Sequence, residues 1–238
     1  DNVVLLELTE GSSDLKVQVG STTQTLPITY IIEGYTAHAS LLVADFNFDG
    51  FTDLALPNSE GYGGVNYFYR LYLYTSKGFE YLPLPEVEFA CNPSLDKETS
   101  TLETSCKSGP TWYQYHYRFT NGNAYLALAT HLLTIDAISA DTIFWLQNDY
   151  DSSGKRINST LSGYMDEALA PTGTVLWDKL YLFTEPDKIT LTETYLVKGT
   201  KVEVLALTED NAWVNIAYQN EAGERLTAWV KPLKISLD

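Results

Sequence analysis

The segment "LLVADFNFDGFTDLALP" (residues 41–57) sets a run of acidic residues between two apolar stretches. Counted from the first aspartate, side-chain oxygens occur at positions 1, 3, 5 and 9, and a glycine occupies position 6: Asp45, Asn47, Asp49, Asp53 and Gly50. Calcium binds about six to eight oxygen atoms, and alternate side chains converge on one point where the chain curls around a glycine. The pattern therefore predicts a calcium site, and the alternative is a solvated acidic turn.

The loop differs from an EF-hand in two respects. An EF-hand has a bidentate glutamate at about position 12, where this chain has Leu56, and the flanking "LLVA" and "LALP" are typical of strands. The segment resembles instead the FG-GAP type of calcium loop, D-x-[DN]-x-D-G-x-x-D, which joins two strands in propeller-like proteins and integrin α-subunits. This resemblance implies one Ca²⁺ with five ligands: Asp45, Asn47, Asp49, the backbone carbonyl of Phe51, and Asp53. Three carboxylates so close together would repel one another without a cation.

A second acidic segment, "NDYDSSGKRIN" (residues 148–158), has a similar order of oxygen-bearing residues around Gly154. Its ninth position is Ile157, however, and Lys155 and Arg156 add positive charge where a cation would bind. The sequence predicts an ordinary hairpin tip here.

Strand signals dominate the rest of the chain. "NYFYRLYLYTSKGFEYLPL" (residues 66–84) and "WYQYHYRFTNGNAYLALATHLLTI" (residues 112–135) are rich in aromatic and aliphatic residues with partial alternation. Turn residues interrupt the strands at 76–78, at Asn121-Gly122-Asn123 and at 151–154. No stretch keeps an apolar period of about 3.6 residues. The predicted fold class is all-β, with a propeller-like antiparallel domain first.

The charge of the chain is strongly negative, with 31 acidic and 15 basic residues among 238 and a net charge of −16. This charge argues against nucleic acid as a partner, and no apolar run approaches the roughly 18 residues of a membrane span. Residues 1–177 carry −13 and residues 178–238 carry −3. An acidic first part suits a cation or a basic protein partner, although acidity also serves solubility alone.

Cys91 and Cys106 are the only cysteines, and they lack the four-ligand spacing of a zinc site. The polar segment between them, "NPSLDKETSTLETS" (residues 92–105), is predicted to be a loop. We expect a disulfide that closes this loop and stabilises the fold by about 3 kcal/mol, which implies an oxidising compartment. The alternative is a pair of buried thiols in a cytosolic protein.

A domain boundary is predicted near "YMDEALAPTGTVLWD" (residues 164–178), which gives domains 1–172 and 178–238. The second part resembles the bacterial SH3-like (SH3b) domains, with Trp213 and Trp229 at the aromatic positions of that family and Gly199 in its Lys-Gly turn. The resemblance implies a small barrel. Such domains often bind cell-wall peptides, so peptidoglycan is a candidate ligand, although tryptophans in a short barrel are more often core residues.

Two further segments resemble a family of periplasmic calcium-binding propeller-like proteins of Gram-negative bacteria: "LPNSEGYGGVNYFYRLYLYTSKGFEYLPL" (residues 56–84) and "CKSGPTWYQYHYRFTNGNAYLAL" (residues 106–128). The family includes immunity proteins of bacterium-killing secretion systems, which inhibit peptidoglycan-cleaving effectors. The resemblance covers about residues 35–130. It implies a periplasmic location, with a signal sequence or lipoprotein leader absent from this chain, and a secreted effector as partner.

No catalytic constellation is evident in the sequence. His38, His116 and His131 are dispersed, and nucleophile-elbow, zinc-protease and phosphate-loop motifs are missing. A pair of glycosidase-type carboxylates stays open, because acidic residues are abundant. The chain is predicted not to be an enzyme. It is expected to be an immunity protein or, as the alternative, a cell-envelope binding module with a structural calcium ion.

Loops are the expected contact surface for a protein partner. The candidates are "NSEGYGGVNY" (residues 58–67) and the loop between the cysteines, with Tyr62 and Trp112 as aromatic anchors. For both aromatic residues the alternative is a place in the strand core.

Overall fold

The structure is a computed structural model that describes residues 4–8, 14–28, 40–109, 111–134, 143–163, 171–208, 212–232 and 235–237. Within these ranges the chain forms 21 strands in four antiparallel sheets, and a short 3-10 turn lies at Lys188–Thr190. The all-β prediction is confirmed.

Two sheets come from the first third of the chain. A three-stranded sheet has the order β1-β2-β3, from β1 (Val4–Leu8), β2 (Asp14–Val19) and β3 (Thr22–Pro27). The next sheet has the order β4-β5-β6-β7, with β8 also paired to β6, from β4 (Leu42–Ala44), β5 (Asp53–Gly61), β6 (Asn66–Thr75), β7 (Gly78–Tyr81) and β8 (Ala90–Cys91). The apolar faces of both sheets share one core, which includes Val17, Leu54 and Phe79.

The third sheet is a six-stranded meander in which each strand pairs with the next along the chain. It consists of β9 (Ser94–Asp96), β10 (Thr101–Ser108), β11 (Thr111–Thr120), β12 (Asn123–Thr134), β13 (Ile143–Tyr150) and β14 (Arg156–Gly163). Asn121 and Gly122 form the turn between β11 and β12 with φ of 52° and 77°. Left-handed angles at both central residues match the twist of a tight hairpin, which is why Asn-Gly predicted this turn correctly.

The prediction of a loop between the cysteines was wrong. Residues 92–105 contain β9 and most of β10, which pair with Leu102 opposite Leu95. Thr101 and Thr104 are buried. Threonine is β-branched and favours strands, so the segment keeps a strand pattern that its polar composition conceals.

The predicted disulfide is confirmed. Cys91 at the end of β8 is bonded to Cys106 in β10, with their Cα atoms 5.6 Å apart. Because β8 pairs with β6 and β10 belongs to the meander, the bond joins the five-stranded sheet to the six-stranded sheet.

The seven-stranded sheet contains the last strands of the chain. Its order is β17-β16-β20-β19-β18-β15-β21, from β15 (Thr172–Val175), β16 (Leu180–Phe183), β17 (Leu191–Leu196), β18 (Lys201–Leu207), β19 (Val214–Gln219), β20 (Arg225–Val230) and β21 (Ile235–Leu237). Its core also takes in Leu146 and Leu161 from β13 and β14. Trp213 is buried, with the Phe183 ring 4.8 Å away, whereas Trp229 is half-buried. The likeness to an SH3-like barrel stays a prediction.

The chain divides into two compact units. One comprises residues 1–128 with 151–155, and the other comprises residues 129–150 with 156–238. The domain boundaries expected from sequence, 1–172 and 178–238, stay a prediction. Among the residues that the structure describes, there is no helix with the length and hydrophobicity of a membrane span.

Candidate functional site

The acidic loop connects β4 to β5 and curls tightly. Left-handed backbone angles at Phe48 (φ 60°) and Gly50 (φ 88°) reverse the chain. The Asp45 carboxylate accepts hydrogen bonds from the backbone N–H groups of Asp49 at 3.1 Å and Gly50 at 2.8 Å. Sequence and local hydrogen bonding therefore hold Asp45 and Asp49 at opposite ends of one short turn.

Asp53 anchors the loop to the sheet. Its side chain is fully buried and accepts hydrogen bonds from Phe46 N–H at 2.8 Å and Tyr74 N–H at 2.9 Å. Burial raises the pKa of Asp53 to about 6; the two backbone hydrogen bonds oppose this rise, and the charges of Asp49 and Asp45 add to it. Burial, more than the neighbouring charges, therefore disfavours the ionised form of Asp53.

The donor set suits a hard cation, because every expected ligand contributes oxygen. A carboxylate oxygen that accepts one N–H retains a further lone pair for a metal. The Asn47 side chain is buried and donates from Nδ2 to Asp49 Oδ2 at 2.8 Å. However, within the described ranges no group of three His, Cys, Asp or Glu side chains lies close enough to hold an ion. The loop must draw its carboxylates together to bind a metal.

The sequence did not identify Tyr74 as part of this site. Its backbone N–H holds Asp53 from 21 residues away, and its ring lies 6.0 Å from the exposed ring of Phe51. A hydrogen bond from a side chain to the backbone of the paired strand, 21 residues away, leaves no signal in residue type.

The second acidic segment is the tip of the β13–β14 hairpin, as predicted. Asp151 Oδ1 accepts hydrogen bonds from Ser153 N–H at 2.9 Å, Ser153 Oγ at 2.6 Å and Lys155 N–H at 3.1 Å. These bonds lower the pKa of Asp151, and the hydrogen bond from the Ser153 hydroxyl contributes most. The Asp151 carboxylate therefore stabilises the turn through hydrogen bonds.

The two predicted aromatic anchors meet around one lysine. Tyr62 is 48 % exposed, has a left-handed φ of 54°, and donates from its hydroxyl to the carbonyl of Gly109 at 2.7 Å. Lys107 Nζ lies 5.5 Å from the centre of the Tyr62 ring and 5.8 Å from that of half-buried Trp112. We call Tyr62, Lys107 and Trp112 the Tyr62–Trp112 surface. Lys107 was missed because a lone lysine in a strand carries no signal.

The structure describes two of the three histidines, His116 and His131. His116 on β11 places Nδ1 3.6 Å from Glu103 Oε1. His131 lies on β12, and burial lowers its pKa. His38 lies outside the described residues. That the chain is not an enzyme stays a prediction.

One comparison with known proteins bears on the acidic loop. The model of the FG-GAP repeat family matches residues 39–74, which include the whole acidic loop. A solved structure described as a Xanthomonas type IV secretion system related protein is similar to this chain at 17 % identity, over 60 % of this chain and 76 % of that one, with a TM-score of 0.46. No curated protein matches the chain significantly.

Proposed function

We propose that the acidic loop binds one structural calcium ion. The ligands are those expected from the sequence: Asp45, Asn47, Asp49, the Phe51 carbonyl and Asp53. The similarity to the FG-GAP repeat over residues 39–74 supports this assignment, and so does the buried Asp53 carboxylate, whose pKa the charges of Asp49 and Asp45 help to raise. The ion is structural because its ligands lie between two strands.

Calorimetric titration with calcium tests the assignment. The wild-type chain should take up one equivalent, and Asp49→Ala should take up none. Asp151→Ala is the matched control, because it removes an acidic side chain from the other loop and should leave uptake intact. Calcium at about 100 times its Kd should stabilise the fold by about 2.7 kcal/mol. No heat at millimolar calcium, or equal loss in both variants, would refute the site.

We further propose that the protein is a non-catalytic periplasmic immunity protein that inhibits a secreted antibacterial effector, one that degrades peptidoglycan. The Tyr62–Trp112 surface carries this proposal. It presents an exposed tyrosine whose hydroxyl is tied to the Gly109 carbonyl at 2.7 Å, so little side-chain freedom is lost when a partner binds. Tyrosine and tryptophan dominate binding hot spots. The sequence resemblance to periplasmic immunity proteins supports the same role.

The charge distribution supports a basic partner. Residues 1–177 carry a net charge of −13. Enzymes that cleave the anionic cell wall are often basic, so electrostatic attraction would accelerate their encounter with an acidic inhibitor. The association rate should consequently fall as ionic strength rises.

The test is to express, in the periplasm, the effector encoded by the gene next to that of this protein, with and without this protein. Co-expression should protect the cells, and the two proteins should elute together on gel filtration. Tyr62→Ala should weaken the complex by at least tenfold, a loss of about 1.4 kcal/mol. Tyr81→Ala removes a similarly exposed tyrosine from β7 and should not. Equal killing in both strains, with no complex, would refute inhibition.

A cell-envelope binding module is the second candidate, and one observation favours it. Tyr181 and Tyr195 are both exposed on the seven-stranded sheet with ring centres 5.9 Å apart, and Lys179 Nζ lies 4.5 Å from the Tyr195 ring. Such a cluster suits a sugar or peptide of the cell wall. Retention on purified peptidoglycan that Tyr195→Ala abolishes and Tyr62→Ala leaves unchanged would support this function over inhibition.

A further inference from the structure

A groove of about 860 Å³ runs along β14 in the second unit. It is lined by residues 156–162 without interruption, by residues 205–207 of β18, and by Gln147, Asn215 and Trp229. Successive side chains of a strand point to opposite faces. A groove that meets seven consecutive residues therefore lies against the edge of the strand, where the main chain is exposed.

Both strands that border the groove have an edge without a strand partner among the described residues. β14 ends the six-stranded sheet and pairs only with β13. β15 covers residues 201–203 of β18 but not residues 205–207, and β19 pairs with β18 from the opposite side. Free N–H and C=O groups on a strand edge are a template for another extended chain.

Three buried polar atoms lie on one face of the β13–β14 hairpin. Asn148 Oδ1, Arg156 Nη1 and Ser159 Oγ have no hydrogen-bond partner among the described residues. The register places Ser159 opposite Asn148 and, across a β-bulge between Asp149 and Tyr150, Arg156 opposite Tyr150, so these side chains share a face. Buried polar atoms without a partner are rare in native proteins. Arg156 and Ser159 also line the groove, so this buried polar face lies directly beside it.

The groove differs in charge from the rest of the chain. Its lining contains Arg156 and no Asp or Glu, although the chain has 31 acidic and 15 basic residues. A guanidinium presents a planar pair of donors that matches a carboxylate. Trp229 adds an aromatic wall that suits an apolar side chain.

We propose that this groove binds an extended acidic peptide by strand addition. The main chain of the peptide pairs with the edge of β14, one of its carboxylates is held by Arg156, and a neighbouring apolar side chain packs on Trp229. Main-chain pairing supplies affinity and the two side-chain positions supply selectivity. The groove involves neither the acidic loop nor the Tyr62–Trp112 surface, so the proposal does not depend on calcium binding or on inhibition.

Fluorescence anisotropy with the full chain tests the selectivity. The probes are three pools of labelled, amidated hexapeptides with a central Glu, Gln or Lys and apolar or hydroxyl residues elsewhere. The Glu pool should bind at least tenfold more tightly than the Gln pool, and the Lys pool more weakly than both. Arg156→Gln should remove the preference for Glu, and Arg156→Lys should restore part of it. The control Arg225→Gln replaces an exposed arginine 2.8 Å from Glu203, outside the groove, and should change nothing.

Hydrogen exchange keeps the test decisive if Arg156→Gln fails to fold. Saturating Glu peptide should slow exchange at every second amide of β14, those that point away from β13, and backbone N-methylation of the peptide should abolish binding. Equal affinity for the Glu and Lys pools, or binding that survives N-methylation, would overturn the proposal. Binding of trigalacturonate, an acidic oligosaccharide, with no binding of any peptide pool would also overturn it and assign the groove to glycans.

Discussion

Asn66 supports the Tyr62–Trp112 surface through a single buried amide. Its Nδ2 donates to the carbonyl of Lys107 at 2.8 Å, and its Oδ1 accepts from the Lys107 N–H at 2.9 Å. Asn92 makes a similar connection nearby, because its Nδ2 donates to the carbonyls of Val65 and Ser105. The Asn66 amide therefore fixes the backbone of Lys107, and the Asn92 amide fixes the backbone beside it at Ser105.

Asn66→Ala should lower the free energy of unfolding by about 2 kcal/mol, because it removes the partners of the part-buried backbone N–H and C=O of Lys107. Urea denaturation measures the change. Asn123→Ala is the control, since Asn123 is exposed and its single side-chain hydrogen bond is 3.4 Å long. A loss below about 0.5 kcal/mol for Asn66→Ala would show that water replaces the amide.

His131 should make the fold sensitive to acid. Burial lowers the pKa of folded His131 below its ordinary value of 6.5. As pH falls below 6.5, the unfolded chain gains a proton that the folded chain resists, so stability falls by at most about 1.4 kcal/mol per pH unit. His131→Gln should flatten this part of the pH profile between pH 7 and 5.

The profile is measured by urea denaturation at several pH values, as the difference between wild type and variant. His116→Gln is the matched control, because it removes an imidazole that faces the Glu103 carboxylate at 3.6 Å, and it should retain the acid-side loss. An unchanged slope in His131→Gln would contradict the assignment.

At the scale of elements, the turns were the most predictable features. Asn121-Gly122, the glycine turn at Gly78 and the tip at 151–154 all follow from residues that tolerate left-handed angles or cap a turn locally. The β9–β10 hairpin was missed because its buried threonines look polar in composition. The hydrogen bond from Tyr74 N–H to the Asp53 carboxylate could not be predicted either. Residue type does not specify which backbone N–H group a carboxylate accepts from. The candidate calcium ligands were identifiable only because their spacing is local.

The disulfide should contribute about 3 kcal/mol to stability by restricting the unfolded chain. Replacing both cysteines, as in C91A/C106A, should lower the denaturation midpoint by the corresponding amount while circular dichroism still shows β structure. The control is the wild-type chain with reductant, which should match the double variant. A double variant as stable as the oxidised wild type would contradict this expectation.

At the scale of the whole molecule, each of the two units has a hydrophobic core among its described residues. One contains Leu15, Leu54 and Phe79 from the first unit, and the other contains Val175, Val204 and Ile216 from the second. The acidic loop belongs to the first unit. A ligand stabilises only the folded structure that binds it. An ion bound there should therefore stabilise the first unit and leave the second unaffected.

Differential scanning calorimetry should resolve two transitions, of which calcium raises only one. In Asp49→Ala neither transition should respond to calcium. A single cooperative transition that shifts as a whole would show that the units unfold together. The transition whose midpoint calcium raises in the wild-type chain but not in Asp49→Ala is the unfolding of the first unit.

The Cys91–Cys106 bond also changes the outcome of a protease cut. The turn between β9 and β10 holds exposed Lys97, and this residue lies between the two bonded cysteines. A single trypsin cleavage there would leave both fragments covalently attached, with β9 and β10 still paired to their neighbours. Nicked protein should migrate at full length on a non-reducing gel and as two bands after reduction. In a protease-rich surrounding, the bond would thus keep a damaged molecule in one piece.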